Sequence, residues 1–388
     1  MNGIPRFLAA AICGVLFTTA AIAVDFAPGT VLSVQSQAVA APLTHAGERF
    51  LITYRSRGIR GEPIVASGFV LLPNSRAPWQ GWPVLAWAHG TTGVADTCAP
   101  SADFPNGPVH DYQQVADVAL DAWLARGYAV VAPDYEGLGT PGGHPYMDAA
   151  SQLHTLVDAV RALHRLRPGA LSRDWLVMGH SQGGAAALQV AAHGQAELPQ
   201  MRLRGAIALA PGGYDYAGIA RYAREHPQLP PAVAAFVPIV LLGAQAANPG
   251  IDLTALIDPA LHPLLDKARS RCLSELQQEI RGSPAGVFRR GVDLQPLLAY
   301  LDRQDIRRMV PAVPLLLVQG EADQLVDARG TAAYVHQLCA AGNRNVFLRP
   351  IAGGSHRDAL SQSPALTADF VAQLDGKDRL PACAAAAR

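Results

Sequence analysis

The stretch "LVMGHSQGGAAALQVAAHG", residues 176–194, decides how the rest of the chain is read. A short apolar run leads into Gly179-His180-Ser181-Gln182-Gly183-Gly184, and an alanine-rich run follows. That order predicts a buried strand turning sharply into a helix, with a serine at the apex. Gly179-x-Ser181-x-Gly183 fits the nucleophile-elbow pattern. In such a turn the serine backbone is strained, and bulky side chains two residues to either side would collide with the neighbouring strand and helix. The helix N-terminus behind the serine favours developing negative charge. The pentapeptide is short enough to arise by chance, so the surrounding elements carry the assignment.

Those elements alternate. "RFLITYRSRG" (49–58) and "IVASGFVLLP" (64–73) read as an antiparallel pair. "VLAWAHG" (84–90), "YAVVAPDYEGLG" (128–139), "WLVMG" (175–179), "GAIALAPGG" (205–213), "VPLLLVQG" (313–320) and "NVFLRPI" (345–351) read as short buried strands. Helical spacing falls between them at 113–127, 153–166, about 331–341 and about 364–374. The expected class is therefore α/β, a mostly parallel sheet with helices on both faces. From about 214 to 310 the rhythm stops: prolines and helical stretches replace it, over a length too great for a loop. A mainly helical cap inserted between two strands accounts for this, because more strands of the same sheet follow.

A serine hydroxyl needs a base to take its proton. The hydrolase order is Ser, then Asp or Glu, then His. "LLLVQGEADQLVD" places Asp323 just past a strand, with Asp327 and Glu321 competing as the acid. "LRPIAGGSHRD" places His356 in a Gly-rich loop past the next strand. Both lie at strand C-terminal ends, where ligands bind in open α/β sheets. His180 should point away from the serine as a structural residue. "AHGTTG" (88–93) can present backbone N–H groups to a carbonyl oxygen, joined by the N–H of Gln182. His89 fits a role in holding that loop. No metal-ligand cluster is apparent, and no cofactor or metal is expected.

The whole chain has 388 residues, half of them hydrophobic, with 31 basic residues against 31 acidic ones. No basic block appears, so nucleic acid is not an expected partner; disorder is excluded by the apolar content. Oligomeric state is not readable. At the N-terminus, Arg6 precedes the apolar run 7–17, and Ala21-Ile22-Ala23 offers a cleavage site. Residues 1–23 read as a signal peptide, giving a secreted or periplasmic protein that begins at 24. Ala38-Val39-Ala40 is a second possible site, and a membrane anchor is the alternative reading. Cys98, Cys272, Cys339 and Cys383 then remain, which in an exported chain allow two disulfides in three connectivities.

"HGTTGVADTCAPS", "PDYEGLG", "GHSQGG", "QGEADQLVD" and "CAAGNRNVFLRPIAGGSH" together resemble the secretory lipase family, of the Candida antarctica lipase A type with bacterial relatives. The likeness runs from about residue 45 to 384. It implies an α/β-hydrolase fold over residues 24–388 with a helical cap at about 214–310. It also implies hydrolysis of carboxylic esters, including acylglycerols. Ser181 becomes the nucleophile, Asp323 the acid and His356 the base, with oxyanion donors at Gln182 and at Thr92 or Thr91. Lipase A types carry Gly after the serine and Asp in the oxyanion loop, so acyl and alcohol preferences do not transfer. Cysteines at corresponding motifs fit pairing Cys98 with Cys272 and Cys339 with Cys383. The first bridge would tie the cap to the rim of the catalytic face, and the second would anchor the tail. The expected partner is a small or lipid ester, with transient contact at a lipid interface. A short-chain or carbohydrate esterase, a serine peptidase and a non-catalytic binding protein are the rival readings.

Overall fold

The computed structural model describes residues 27–226, 229–280, 286–377 and 381–383. The expected signal segment lies outside the described residues. Among the described residues nine strands form one sheet: β1 (Val31–Gln37), β2 (Ala46–Arg57), β3 (Pro63–Pro73), β4 (Trp82–Ala88), β5 (Ala129–Pro133), β6 (Leu171–His180), β7 (Arg202–Leu209), β8 (Leu315–Gly320) and β9 (Val346–Ile351). Their spatial order is β1-β2-β3-β5-β4-β6-β7-β8-β9. The first three strands pair antiparallel with each other, and β3 pairs antiparallel with β5. All pairings from β5 through β9 are parallel.

Sequence reading missed β1. Its residues, "VLSVQSQ", are mostly exposed and pair on one side only, with β2. An edge strand of that kind lacks the apolar run that marks a buried one.

Helices α1 (His110–Ala125), α2 (Ala149–Leu166) and α3 (Gln182–Glu197) follow β4, β5 and β6. Between β7 and β8 lie α4 (Tyr216–Glu225), α5 (Pro231–Ala234), α6 (Val237–Ala247), α7 (Leu253–Leu256), α8 (His262–Ala268), α9 (Leu273–Glu279) and α10 (Gln295–Arg303). The chain closes with α11 (Ala328–Ala340), α12 (Asp358–Ser361) and α13 (Ser363–Leu374). α2 shows why such segments are helical. Asp148 caps it, accepting from the Ser151 N–H at 3.0 Å. Leu153, Leu156, Val157, Val160 and Leu163 fall at i, i+3, i+4 spacing and are buried.

The central strands are buried on both faces. Along β4, Val84, Ala86 and Ala88 join one core with α2 and α3, while Leu85 and Trp87 join another with α1 and α13. Successive crossovers place β5 and β6 on opposite sides of β4. The switch point therefore lies at β4 and β6, where the C-terminal ends form a crevice. No helix among the described residues is long and apolar enough to cross a membrane.

Two disulfides join Cys98 to Cys272 and Cys339 to Cys383, with Cα separations of 5.4 and 5.9 Å. The second holds the tail, where the Cys383 N–H also donates to the Val346 carbonyl.

Candidate active site

Ala88 and Gly179 are register partners in β4 and β6, so the loop 89–93 and Ser181 leave the sheet side by side. Ser181 has φ 58° and ψ −113°, a backbone conformation that costs a side-chain-bearing residue about 1–3 kcal/mol. Tight packing holds it there. A Cβ on Gly179 would stand 2.0 Å from the Gly183 carbonyl oxygen, and one on Gly183 would stand 1.9 Å from that of Ala88. No larger residue fits either place. The Ser181 N–H donates to the Leu209 carbonyl of β7, which sets the turn against the neighbouring strand. Gln182 opens α3, where the first N–H groups have no intrahelical acceptor.

β8 and β9 deliver the other two groups. Gly320 and Ile351 are register partners, and the loops beyond them carry Asp323 and His356. His356 Nδ1 donates to Asp323 Oδ2 at 2.7 Å. The Asp323 side chain is buried. Burial alone would raise its carboxyl, but the His356 bond and charge and the Val326 and Leu325 N–H groups hold it below the usual carboxylate range. The competing acids stand elsewhere: Asp327 caps α11 and pairs with Arg329, and Glu321 is exposed.

His180 is turned toward the His356 loop. Its Nε2 donates to the His356 carbonyl at 3.1 Å, and the two rings lie 4.7 Å apart. Its Nδ1 accepts from the Tyr112 hydroxyl at 3.4 Å, and that hydroxyl accepts from the Gly90 N–H at 2.6 Å. One hydrogen-bond path thus runs from loop 89–93 through Tyr112 and His180 to the His356 loop. Burial, with the nearby His356, pushes the His180 imidazole well below its ordinary range. It stays neutral and keeps this donor and acceptor pattern. His89 is likewise held neutral, pushed down to about 4 by burial, and its Nδ1 donates to the Gly90 carbonyl.

Loop 89–93 is braced from outside the sheet. The Leu273 N–H donates to the Thr92 carbonyl at 2.7 Å, and Gly93 forms an antiparallel bridge with Cys272. A Cβ on Gly93 would stand 2.7 Å from Cys98 Sγ, so the first disulfide packs directly against this loop. Thr91 Oγ1 lies 2.8 Å from the Tyr146 hydroxyl, and Thr92 is buried. The Gln182 side-chain amide donates to His144 Nε2 at 3.1 Å, while His144 Nδ1 donates to the Glu136 carbonyl. Sequence reasoning did not single out His144, Tyr146 or Tyr112, because each matters through a contact distant in the chain.

Ser181 opens onto a cavity of about 150 Å³. Its walls are chiefly apolar side chains from between β7 and β8, among them Phe236, Val240, Leu297 and Leu301. Ile219 and Leu325 also line it and are 47% and 37% exposed, so they mark its mouth. Among the described residues no group of three or more His, Cys, Asp or Glu is placed to hold a metal ion. The arrangement offers a hydroxyl, an imidazole oriented by a carboxylate, and backbone donors at a helix start. Such a set can perform acyl transfer.

The family model described as "Secretory lipase" matches residues 112–380. A Mycobacterium tuberculosis protein described as a probable inactive lipase is 25% identical over 334 residues, spanning 81% of this chain and 69% of that protein. The structure of Candida antarctica lipase A in its closed state superposes with a TM-score of 0.76 at 20% identity, covering 92% of this chain and 85% of that one. The rice cell wall degrading esterase of Xanthomonas oryzae superposes with a TM-score of 0.68 at 20% identity, covering 91% and 100%. These two likenesses show that the chain has the α/β-hydrolase fold.

Proposed function

Because the chain belongs to the secretory lipase family of lipase and esterase hydrolases, we propose that it is a secreted serine carboxylic-ester hydrolase that cleaves lipid acyl esters through an acyl-enzyme. One observation carries the reading: the buried Asp323, bonded to His356 at 2.7 Å, accepts from the N–H groups of Leu325 and Val326, and these two residues line the same apolar cavity as Ser181. His356 takes the Ser181 proton, and the hydroxyl oxygen attacks the ester carbonyl. The tetrahedral oxyanion is held by the N–H of Gln182 and an N–H of Thr92 or Thr91. His356 protonates the leaving alcohol and later activates water. Asp323 fixes the imidazole tautomer and stabilises the imidazolium.

The helices from about 214 to 310 act as a cap that supplies the acyl-binding wall. The apolar side chains lining the cavity support this. The exposed Ile219 and Leu325 at the mouth fit transient contact with a lipid interface. Export fits two disulfides. Signal cleavage after Ala23 would leave β1 in the sheet, whereas cleavage after Ala40 would remove it.

A narrower reading is favoured by size. Voids of about 150 Å³ take up a ligand as large as benzene, which favours short or medium acyl groups over long ones. A p-nitrophenyl ester series with emulsified triglyceride, run on the exported protein, tests both readings. Rate should peak at medium chains. No turnover of any ester would sink the proposal and ally the chain with the relative described as a probable inactive lipase.

Val240→Phe is expected to move the optimum to shorter acyl groups. Val240 is half-buried and lines the cavity, so the larger ring would fill acyl space. The expected effect is at least a tenfold drop in kcat/KM for octanoyl esters, with acetyl esters within about threefold; a pocket contact of one or two methylenes is worth about 1–3 kcal/mol. Equal losses across the series would remove this wall from acyl binding.

A further inference from the structure

Gln319 is a polar side chain in a strand that is otherwise apolar. It sits in β8, "LLLVQG", and is 2% exposed. A buried amide is tolerated only where its hydrogen bonds are made. Its Nε2 donates to Asp323 Oδ2 at 2.9 Å, with the carbonyls of Gly320 and Val326 at 3.2 and 3.3 Å. On the other side, Thr331 Oγ1 of α11 donates to its Oε1 at 2.8 Å. Acceptors surround the nitrogen and a donor meets the oxygen, so only one orientation of the amide fits.

Asp323 is thereby held on every side. Its Oδ1 accepts from the Leu325 and Val326 N–H groups at 2.8 and 2.9 Å. Its Oδ2 accepts from His356 and from Gln319. The same carboxylate oxygen that orients the imidazole is thus shared with a neutral donor.

We propose that Gln319, locked by Thr331, is a positioning residue that sets both the geometry of Asp323 and the strength with which it holds the His356 imidazole. This rests on the reading of Ser181, Asp323 and His356 as the triad. Groups that orient a reacting set from behind are commonly worth about 10–100-fold. The sign of the electrostatic effect is fixed. A donor to Oδ2 draws off part of the carboxylate charge. Removing it leaves more charge facing the imidazolium, which then keeps its proton to higher pH. Other titratable groups around the pair are His180, Tyr112, Arg357 and Asp358, with Glu321 and the Asp327–Arg329 pair on the acid loop; all stay in place in the variants below.

The test compares Gln319→Leu and Thr331→Val with wild type in kcat/KM against pH, using a p-nitrophenyl ester, with Ser181→Ala as the control for the underlying reading. Gln319→Leu should lower kcat/KM about tenfold with KM nearly unchanged, and should move the acid limb up by about half a pH unit or more. Thr331→Val keeps the side-chain shape and should shift the limb the same way by less. It also covers the case in which Gln319→Leu does not fold. An acid limb that superimposes on wild type in a folded variant, or moves down, overturns the proposal. Wild-type activity that survives in Ser181→Ala would instead show that the triad reading has failed. The downfield proton resonance of His356 Nδ1 reads the same contact without turnover. It should move in Gln319→Leu, and an unchanged resonance overturns the proposal independently of activity.

Discussion

Ser181→Ala is expected to lower kcat by about 10⁴-fold or more while leaving thermal unfolding unchanged. In the proposed mechanism the hydroxyl supplies the bond that forms in the first step, and no other nucleophile takes part. Alanine has the Cβ that serine has, so φ 58° carries the same strain in both. The packing of Gly179 and Gly183 around the turn is untouched. The variant therefore isolates chemistry from folding. Covalent labelling by a fluorophosphonate should vanish with the activity. Labelling at another serine in a variant that still turns over would move the nucleophile elsewhere in the chain.

Asp323→Asn is expected to cost about 10²–10⁴ in kcat. The surroundings explain why an isosteric change is so damaging. Four donors converge on this carboxylate: two backbone N–H groups on one oxygen, and His356 and Gln319 on the other. An asparagine has one oxygen for four donors. With that oxygen toward the backbone, its NH₂ faces Gln319 Nε2 and the imidazole. The ring is then driven to the tautomer with its proton on Nε2, and it cannot accept the serine proton. Asp327→Asn should stay within a few-fold of wild type, because Asp327 is partnered by exposed Arg329. A dead Asp327→Asn beside an active Asp323→Asn would transfer the role of the acid.

The parts of the molecule visible in the sequence are those that local physics constrains. The elbow was readable because its turn admits only glycine at 179 and 183. The parallel strands were readable because burial on both faces leaves runs such as "LLLV" in β8. Helix starts between β7 and β8 carry prolines in their first turns, at Pro238, Pro263 and Pro296, where a missing N–H costs nothing. Those same prolines marked the region as broken without fixing which pieces were helical. β1 was missed because an exposed edge strand has little apolar signal. Gln319 stood inside a quoted motif and was passed over, since its role depends on Thr331 and on how the loop folds back. His144 and Tyr146 depend on partners 38 and 55 residues away.

The bracing of loop 89–93 bears on how such proteins diversify. Cys272 and Leu273 touch that loop by a backbone bridge and a carbonyl contact, the Cys98–Cys272 disulfide packs against it, and Ser274 donates to the Pro108 carbonyl. The segment proposed to shape acyl preference is thus fastened to the loop that leaves β4 beside the elbow. Grafting residues 214–310 from a relative would leave Gly93 and Cys98 facing a foreign partner. The two pieces, more than a hundred residues apart in the chain, form a single heritable cassette. Recombination that respects it carries the bracing along; a crossover that splits it discards the bracing.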